Sequence, residues 1–288
     1  MDVSVEIVNA FVDGSEGGNP AGVVLDAEGL DSSQKLATAA RLGLSETAFV
    51  SPSSIAAFKL EFFTPTRQIA HCGHATIATF CCLRQRGRVG DGESSKETID
   101  GTRRIHLDGD MAFMEQTGPR YTPVEDRNAA LAALHLTADD LLPGFDPVVV
   151  NTGNSFLLVP VRDAAAVRKA EPAVAAVTAV SEALDLIGYY VFSPETVVPG
   201  RDAGTRMFAP RYGITEESAT GMAAGPLACF LYDRMGVRKA RVQIEQGRLM
   251  SAPSPSVIQV RLSLSSGAIR SLMAGGRAKV LRSLVVSV

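Results

Sequence analysis

Two stretches decide how this chain is read. Phe62-Phe63-Thr64-Pro65 leads to His71-Cys72-Gly73-His74-Ala75-Thr76 and on to Leu83, and Met207-Phe208-Ala209-Pro210 leads to Ala219-Thr220-Gly221-Met222-Ala223-Ala224 and on to Leu231. In the first, an apolar strand-like pair runs into a Thr-Pro turn. A glycine-centred corner then opens a helix-compatible run, residues 75–83, that puts Ile77, Phe80 and Cys81 on one face. Aligning Gly73 with Gly221 sets His74 against Met222, Ala75 against Ala223, Cys81 against Cys229 and Leu83 against Leu231. The two stretches read as a diverged internal repeat.

Working outward, residues 2–12 and 21–25 read as strands joined by the glycine-rich turn 14–20, and Ser32-Ser33-Gln34-Lys35 can cap a helix that stops at Gly43. Strands are expected at 45–50 and 57–63, a polar loop or hairpin tip at 90–102, and short strands at 105–107 and 111–115. The Pro, Arg and Tyr texture of 118–123 suits a linker. Beyond it the programme restarts: a helix at 126–136, strand, Gly/Asn turn and strand over 147–159, helices at 163–169 and 172–184, a strand at 186–192 and a helix from 220 to about 235. Both halves run strands, helix, strands, corner, longer helix. The order fits two related, pseudo-symmetric α+β domains, each a curled sheet around a central helix, with the active cleft expected between them. The boundaries fall at 1–120 and 121–270.

Composition narrows the function classes. The 288 residues are 46% hydrophobic, enough for two cores. A net charge of −3, dispersed along the chain, offers no basic stripe to nucleic acid or anionic membrane. The start of the chain has no signal-peptide pattern and no apolar run reaches transmembrane length, so a cytoplasmic protein is expected. Cysteines 72, 81, 82 and 229 show neither CxxC pairing nor metal-ligand spacing, which makes reduced thiols and no metal the expectation.

A helix that starts at Gly73-His74 presents free N–H groups and the positive end of its dipole, and the copy at Gly221-Met222 does the same. Such corners accept a small carboxylate, because glycine lets a ligand approach the backbone. Glu46 sits at a helix-to-strand junction among small and apolar neighbours, where partial desolvation favours its holding a proton and moving it. A solvated strand-end glutamate is the plain alternative. Glu216 and Glu217 precede the second corner, where first-turn carboxylates stabilise a helix whatever its function. His74, in the first helical turn, is kept neutral by the dipole and so able to donate or accept a hydrogen bond. His71 has only proximity to recommend it. Cys72 raises thiol chemistry, but its repeat partner is Thr220, which argues against a two-cysteine racemase.

These residues resemble a known family. Gly18-Asn19-Pro20-Ala21-Gly22-Val23, Leu44-Ser45-Glu46-Thr47-Ala48-Phe49-Val50, Phe63-Thr64-Pro65-Thr66-Arg67 with Cys72-Gly73-His74-Ala75-Thr76, and Phe208-Ala209-Pro210 with Gly213-Ile214 through Ala219-Thr220-Gly221 are similar, in order, to the phenazine-biosynthesis PhzF-like proteins. The resemblance implies a diaminopimelate-epimerase-like fold, isomerase chemistry without metal or nicotinamide, a homodimer, and a chain end, about 271–288, that returns to the first domain. It implies Glu46 as the acid/base group, with His74 and Glu217 assisting and Asn19, Gly73, Gly221 and Met222 on the substrate. At the second corner the family usually reads Glu-Asp-Pro-Ala-Thr-Gly-Ser. Here Glu217 stands for the aspartate and Met222 for the serine, so a less polar substituent is expected there. The expected function is a proton or double-bond shift in a small carboxylic acid. An amino-acid epimerase or racemase, and a ligand-binding member without turnover, stand as alternatives.

Overall fold

The computed structural model describes residues 1–288, which divide into two compact units: Met1–Glu115 with Gly275–Val288, and Gln116–Ala274. The first unit contains β1 (Asp2–Ala10), β2 (Asn19–Val24), α1 (Ser32–Leu42), β3 (Thr47–Ser51), β4 (Phe58–Phe63), β5 (Gln68–Ile69), α2 (Gly73–Gln85), β6 (Gly92–Thr98), β7 (Gly101–Asp108) and most of β8 (Met111–Thr117). The second contains β9 (Arg120–Pro123), α3 (Arg127–Ala132), β10 (Val148–Asn151), β11 (Ser155–Pro160), α4 (Ala164–Lys169), α5 (Val174–Ala183), β12 (Gly188–Ser193), β13 (Ala203–Ala209), β14 (Ile214–Glu217), α6 (Gly221–Asp233), β15 (Arg241–Gln246) and β16 (Ser256–Ser265). The last strand, β17 (Ala268–Ser287), starts in the second unit, and its later part pairs with β1 in the first.

The repeat seen in the sequence is a repeat of strand pairing. In the first unit β1 and β2 are antiparallel, β2 and β3 parallel, β3 and β4 antiparallel, β4 and β5 antiparallel, β4 and β6 parallel, and β6 and β7 antiparallel. The second unit runs through the same sequence of pairings with β10, β11, β12, β13, β14, β15 and β16 in those places. The α+β, pseudo-symmetric architecture is therefore present.

Each sheet curls around one helix. The thirteen-residue helix α2 is buried continuously from Gly73 to Leu83, and α6, of the same length, from Ala223 to Tyr232. A helix apolar on one face only would leave the other in water; these two are enclosed, which is why small residues and Thr76 and Thr79 alternate with the large ones. Phe49, Phe63 and Ala39 join Val3, Val5 and Ile7 in one core of the first unit, and Leu157, Tyr189, Phe208 and Leu131 belong to a core of the second. No helix is long and apolar enough to cross a membrane.

Four local expectations change. The cap of α1 is Asp31, whose side chain accepts from Ser33 and Gln34 in a capping box, rather than the serines after it. The polar stretch 90–102 is largely the paired strands β6 and β7. Residues 120–123 form β9, an ordered strand hydrogen-bonded to β10, so the texture of 118–123 is not that of a linker. The helix expected over 126–136 stops at Ala132, and the chain turns through His135 at φ 53°.

Candidate active site

Glu46 owes its place to two glycines. Gly43 ends α1 in the left-handed conformation at φ 65°, turning the chain toward β3. Gly22, in β2, donates its N–H to the Glu46 carbonyl at 3.1 Å, and a Cβ on Gly22 would stand 2.8 Å from Thr47 Oγ1. No side chain fits between the strands at that point, so Gly22 clamps the backbone of Glu46. The carboxylate-bearing residue is 5% exposed.

The partner of Glu46 comes from α2. His74, second residue of the helix and 3% exposed, places Nε2 at 3.3 Å from Glu46 Oε2 and Nδ1 at 3.6 Å from Cys72 Sγ. Cys72 is the extended residue at which the helix begins. Thiol, imidazole and carboxylate thus form a buried row. Burial, ahead of every other influence, pushes the Cys72 thiol above its ordinary range and keeps it protonated. An S–H donating to Nδ1 leaves the Nε2–H tautomer facing Glu46.

The donor atoms of Glu46, Cys72 and His74 lie within 4.8 Å of one another, a set that can be considered for a metal ion. The row uses opposite nitrogens of one ring, however, and an ion can take only one of them. A protonated, buried thiol is also a poor ligand. The arrangement suits sharing of a proton better than chelation.

Behind the row lies a group that sequence reasoning missed. Lys96, on β6, is fully buried; its Nζ donates to Thr76 Oγ1 at 2.7 Å and approaches His71 Nδ1 at 3.2 Å, with the Phe62 ring 5.0 Å away. Thr76 Oγ1 in turn donates to the Cys72 carbonyl at 2.6 Å. Desolvation brings Lys96 down to about 7. Burial first, then the Lys96 and Arg103 charges, hold His71 well below the ordinary imidazole range, so it stays neutral and accepts.

The second corner is built from amides. Thr220 precedes Gly221, donates its N–H to Gln246 Oε1 at 3.1 Å, and donates its hydroxyl to Glu217 Oε2 at 2.5 Å. Gln246 Nε2 donates to the Glu217 carbonyl at 2.7 Å and to Thr220 Oγ1 at 3.2 Å, and Gln116 Nε2 donates to the Gly221 carbonyl at 3.0 Å. Met222 is partly exposed beside them. Glu216 is taken up by Arg206, which grips both carboxylate oxygens at 2.7 and 2.8 Å.

Among the other candidates, Asn19 is buried at the start of β2, after Gly18, whose φ of 90° and contact with the Ala10 carbonyl admit no side chain. His106 pairs with Glu93 at 2.8 Å near the surface, and His135 meets the Glu171 carbonyl at 3.0 Å. Burial raises Cys81 to about 12 and Cys82 to about 11 and also raises Cys229, which makes all three inert packing residues. A groove lined by Met1, Glu6, Asp26, Arg86 and Arg88 has its charges spent on one another, Arg86 with Glu6 and Arg88 with Asp26.

Comparison with known proteins agrees with this architecture. The model of the family described as phenazine biosynthesis-like protein, PhzC-PhzF, matches residues 8–282, and the chain belongs to that family. It is 32% identical over 293 aligned positions to an uncharacterized isomerase, YddE, of Escherichia coli O157:H7, covering 98% of this chain and 97% of that protein. It is 29% identical to the trans-2,3-dihydro-3-hydroxyanthranilate isomerase of Pseudomonas chlororaphis, over 86% of this chain and 87% of that one. The crystal structure of a PhzF-family phenazine biosynthesis protein from Bacillus anthracis superposes with a TM-score of 0.90 at 24% identity, over 100% of both chains, and shares the fold. The chain is an isomerase of this family, with the epimerase-like fold.

Proposed function

We propose that the protein shifts a proton, and with it a double bond, in a small and possibly ring-shaped carboxylic acid, with Glu46 as general base and then general acid. One observation carries the reading: a buried carboxylate held 3.3 Å from an imidazole nitrogen in the opening turn of a buried helix. Removal and return of one proton on one face of a substrate needs a single acid/base group. His74 Nε2–H steadies the Glu46 carboxylate and the charge that develops beside it. The N–H groups at Gly73 receive the anionic end of the substrate. Glu217, Gly221, Met222 and Asn19 are assigned to substrate recognition, with Glu217 assisting. The two compact units are taken as the two domains. The reading includes a cytoplasmic homodimer that needs no cofactor.

The test is turnover in deuterated water. Trans-2,3-dihydro-3-hydroxyanthranilate and other unsaturated carboxylic acids are offered, and the product is analysed by mass spectrometry. Solvent deuterium is expected in the product with the wild type and not with Glu46→Gln. Equal labelling by both removes Glu46 from its role.

An epimerase is the second reading, and Cys72 is what favours it: its sulfur lies at the other end of the same row, 3.6 Å from His74 Nδ1. An epimerase requires Cys72 or Glu217 as a second base. Cys72→Ser abolishing turnover, with chiral inversion of an amino acid by the wild type, selects it.

A further inference from the structure

A lysine without a carboxylate partner, completely enclosed by protein, is costly and calls for a reason. Lys96 is such a group: its polar partners are a hydroxyl and an imidazole, and it rests near an aromatic face. The hydrogen bonds run in one direction. Protonated Lys96 has only protons to give, so Thr76 Oγ1 accepts from it and spends its own proton on the Cys72 carbonyl. That carbonyl belongs to the peptide unit whose other end is the Gly73 N–H. Drawing electron density toward the carbonyl oxygen makes the same amide a stronger donor, and chained hydrogen bonds in a dry interior polarise one another.

We propose that Lys96, acting through Thr76, is a positioning residue that polarises the Cys72–Gly73 peptide and strengthens the Gly73 N–H as donor to the anionic group of the substrate. The assignment rests on the function proposed above for the Gly73 end of α2, and it adds to it the source of that donor's strength. The charge lies behind the peptide, not in front of it. It tunes the donor without neutralising the bound anion or pairing with Glu46.

The relay is set by pH. The groups facing Lys96 are His71 and Cys72 from the segment before α2, Thr76 from α2, Phe62 from β4, Arg103 from β7 and Asp100 from the β6–β7 turn. His71 and Cys72 are both held neutral by burial, so among these groups Lys96 is the one brought near neutrality. Its protonated form prevails below about 7, where the donor is strongest, and is lost as pH rises through that value.

The experiment follows the Gly73 amide by two-dimensional NMR of the full chain across neutral pH, alongside the Lys96 side-chain resonances. The Gly73 amide proton should move downfield as pH falls, with the midpoint of Lys96, near 7. The shift should vanish in Lys96→Met and Thr76→Val and persist in Thr76→Ser, which keeps the hydroxyl. A Gly73 titration unchanged in Thr76→Val or Lys96→Met, or none in the wild type, overturns the proposal, and native-like spectra of Thr76→Ser guard against misfolding. Where a substrate turns over, Thr76→Val should raise KM about five-fold, the worth of one strengthened hydrogen bond, with Thr76→Ser close to wild type. The spectra need no substrate, so a failed turnover screen refutes the proposed function and leaves the relay to be judged by the Gly73 titration alone.

Discussion

The two corners of this molecule share a scaffold and differ in chemistry. Each opens a thirteen-residue buried helix at a glycine, after an extended residue, Cys72 in one and Thr220 in the other. The first is backed by a buried lysine, carries a histidine in its second position and holds that histidine against a carboxylate. The second is backed by Gln246 and Gln116, neutral amides, and carries a methionine in the same position. Even the relay is one-sided: Thr76 aligns with Ala224, which has no hydroxyl to pass a charge along. Duplication supplies two helix starts at glycines with different side chains around them; under the function proposed above, the first moves protons and the second selects the guest.

The largest effect belongs to the acid/base group. Glu46→Gln should lower kcat by about three orders of magnitude, within the span of a general acid–base residue, with the fold intact by circular dichroism. His74→Met makes the first corner resemble the second and should lower kcat about a hundred-fold, whereas Met222→Ser should shift KM and substrate preference with kcat changed less than about ten-fold. Steady-state kinetics on one substrate pair reads both. A loss of kcat in Met222→Ser matching that of His74→Met would erase the distinction between the corners.

Smaller effects concern how each corner is held. Gly22→Ala forces a methyl group against Thr47 and Leu42, and should cost about 2 kcal/mol in urea unfolding. Gln246→Ala removes the acceptor of the Thr220 N–H and one donor to the Glu217 carbonyl and should cost about 2 kcal/mol as well. Lys96 gives stability a pH dependence. Below about 7 the proton is on Lys96 in folded and unfolded chains alike, and the buried charge costs its full amount. Between about 7 and the ordinary 10.5 only the unfolded chain holds that proton, so it binds more protons than the folded one and stability rises with pH. Lys96→Met should lack this rise in unfolding curves taken at several pH values, and the second unit has no counterpart to supply one.

Much of the first corner was legible in the sequence. Gly73 and His74 announce a helix start, and Glu46 stands out as a carboxylate among small and apolar neighbours; the structure brings Glu46 and His74 together. What stayed hidden was polar and buried. In β6 the inward positions are Lys96 and Thr98, so the strand has no apolar alternation and reads as a loop or hairpin tip. Cys72 gave a signal as a thiol, but its place at the far end of the histidine depends on a three-dimensional turn. Gln116 and Gln246 bond across a hundred or more and about two dozen residues of chain respectively, distances over which local pattern carries no information. The Pro, Arg and Tyr texture of 118–123 suits a linker because a short edge strand such as β9, Arg-Tyr-Thr-Pro, tolerates the same residues.

The central claim, that protons move at the first corner and not at the second, is tested most directly by solvent-deuterium wash-in under identical conditions with Glu46→Gln and Glu217→Gln. Label entry into substrate should stop with Glu46→Gln and continue with Glu217→Gln, at a rate changed mainly through KM. Wash-in that survives Glu46→Gln, or that stops equally with Glu217→Gln, would contradict it.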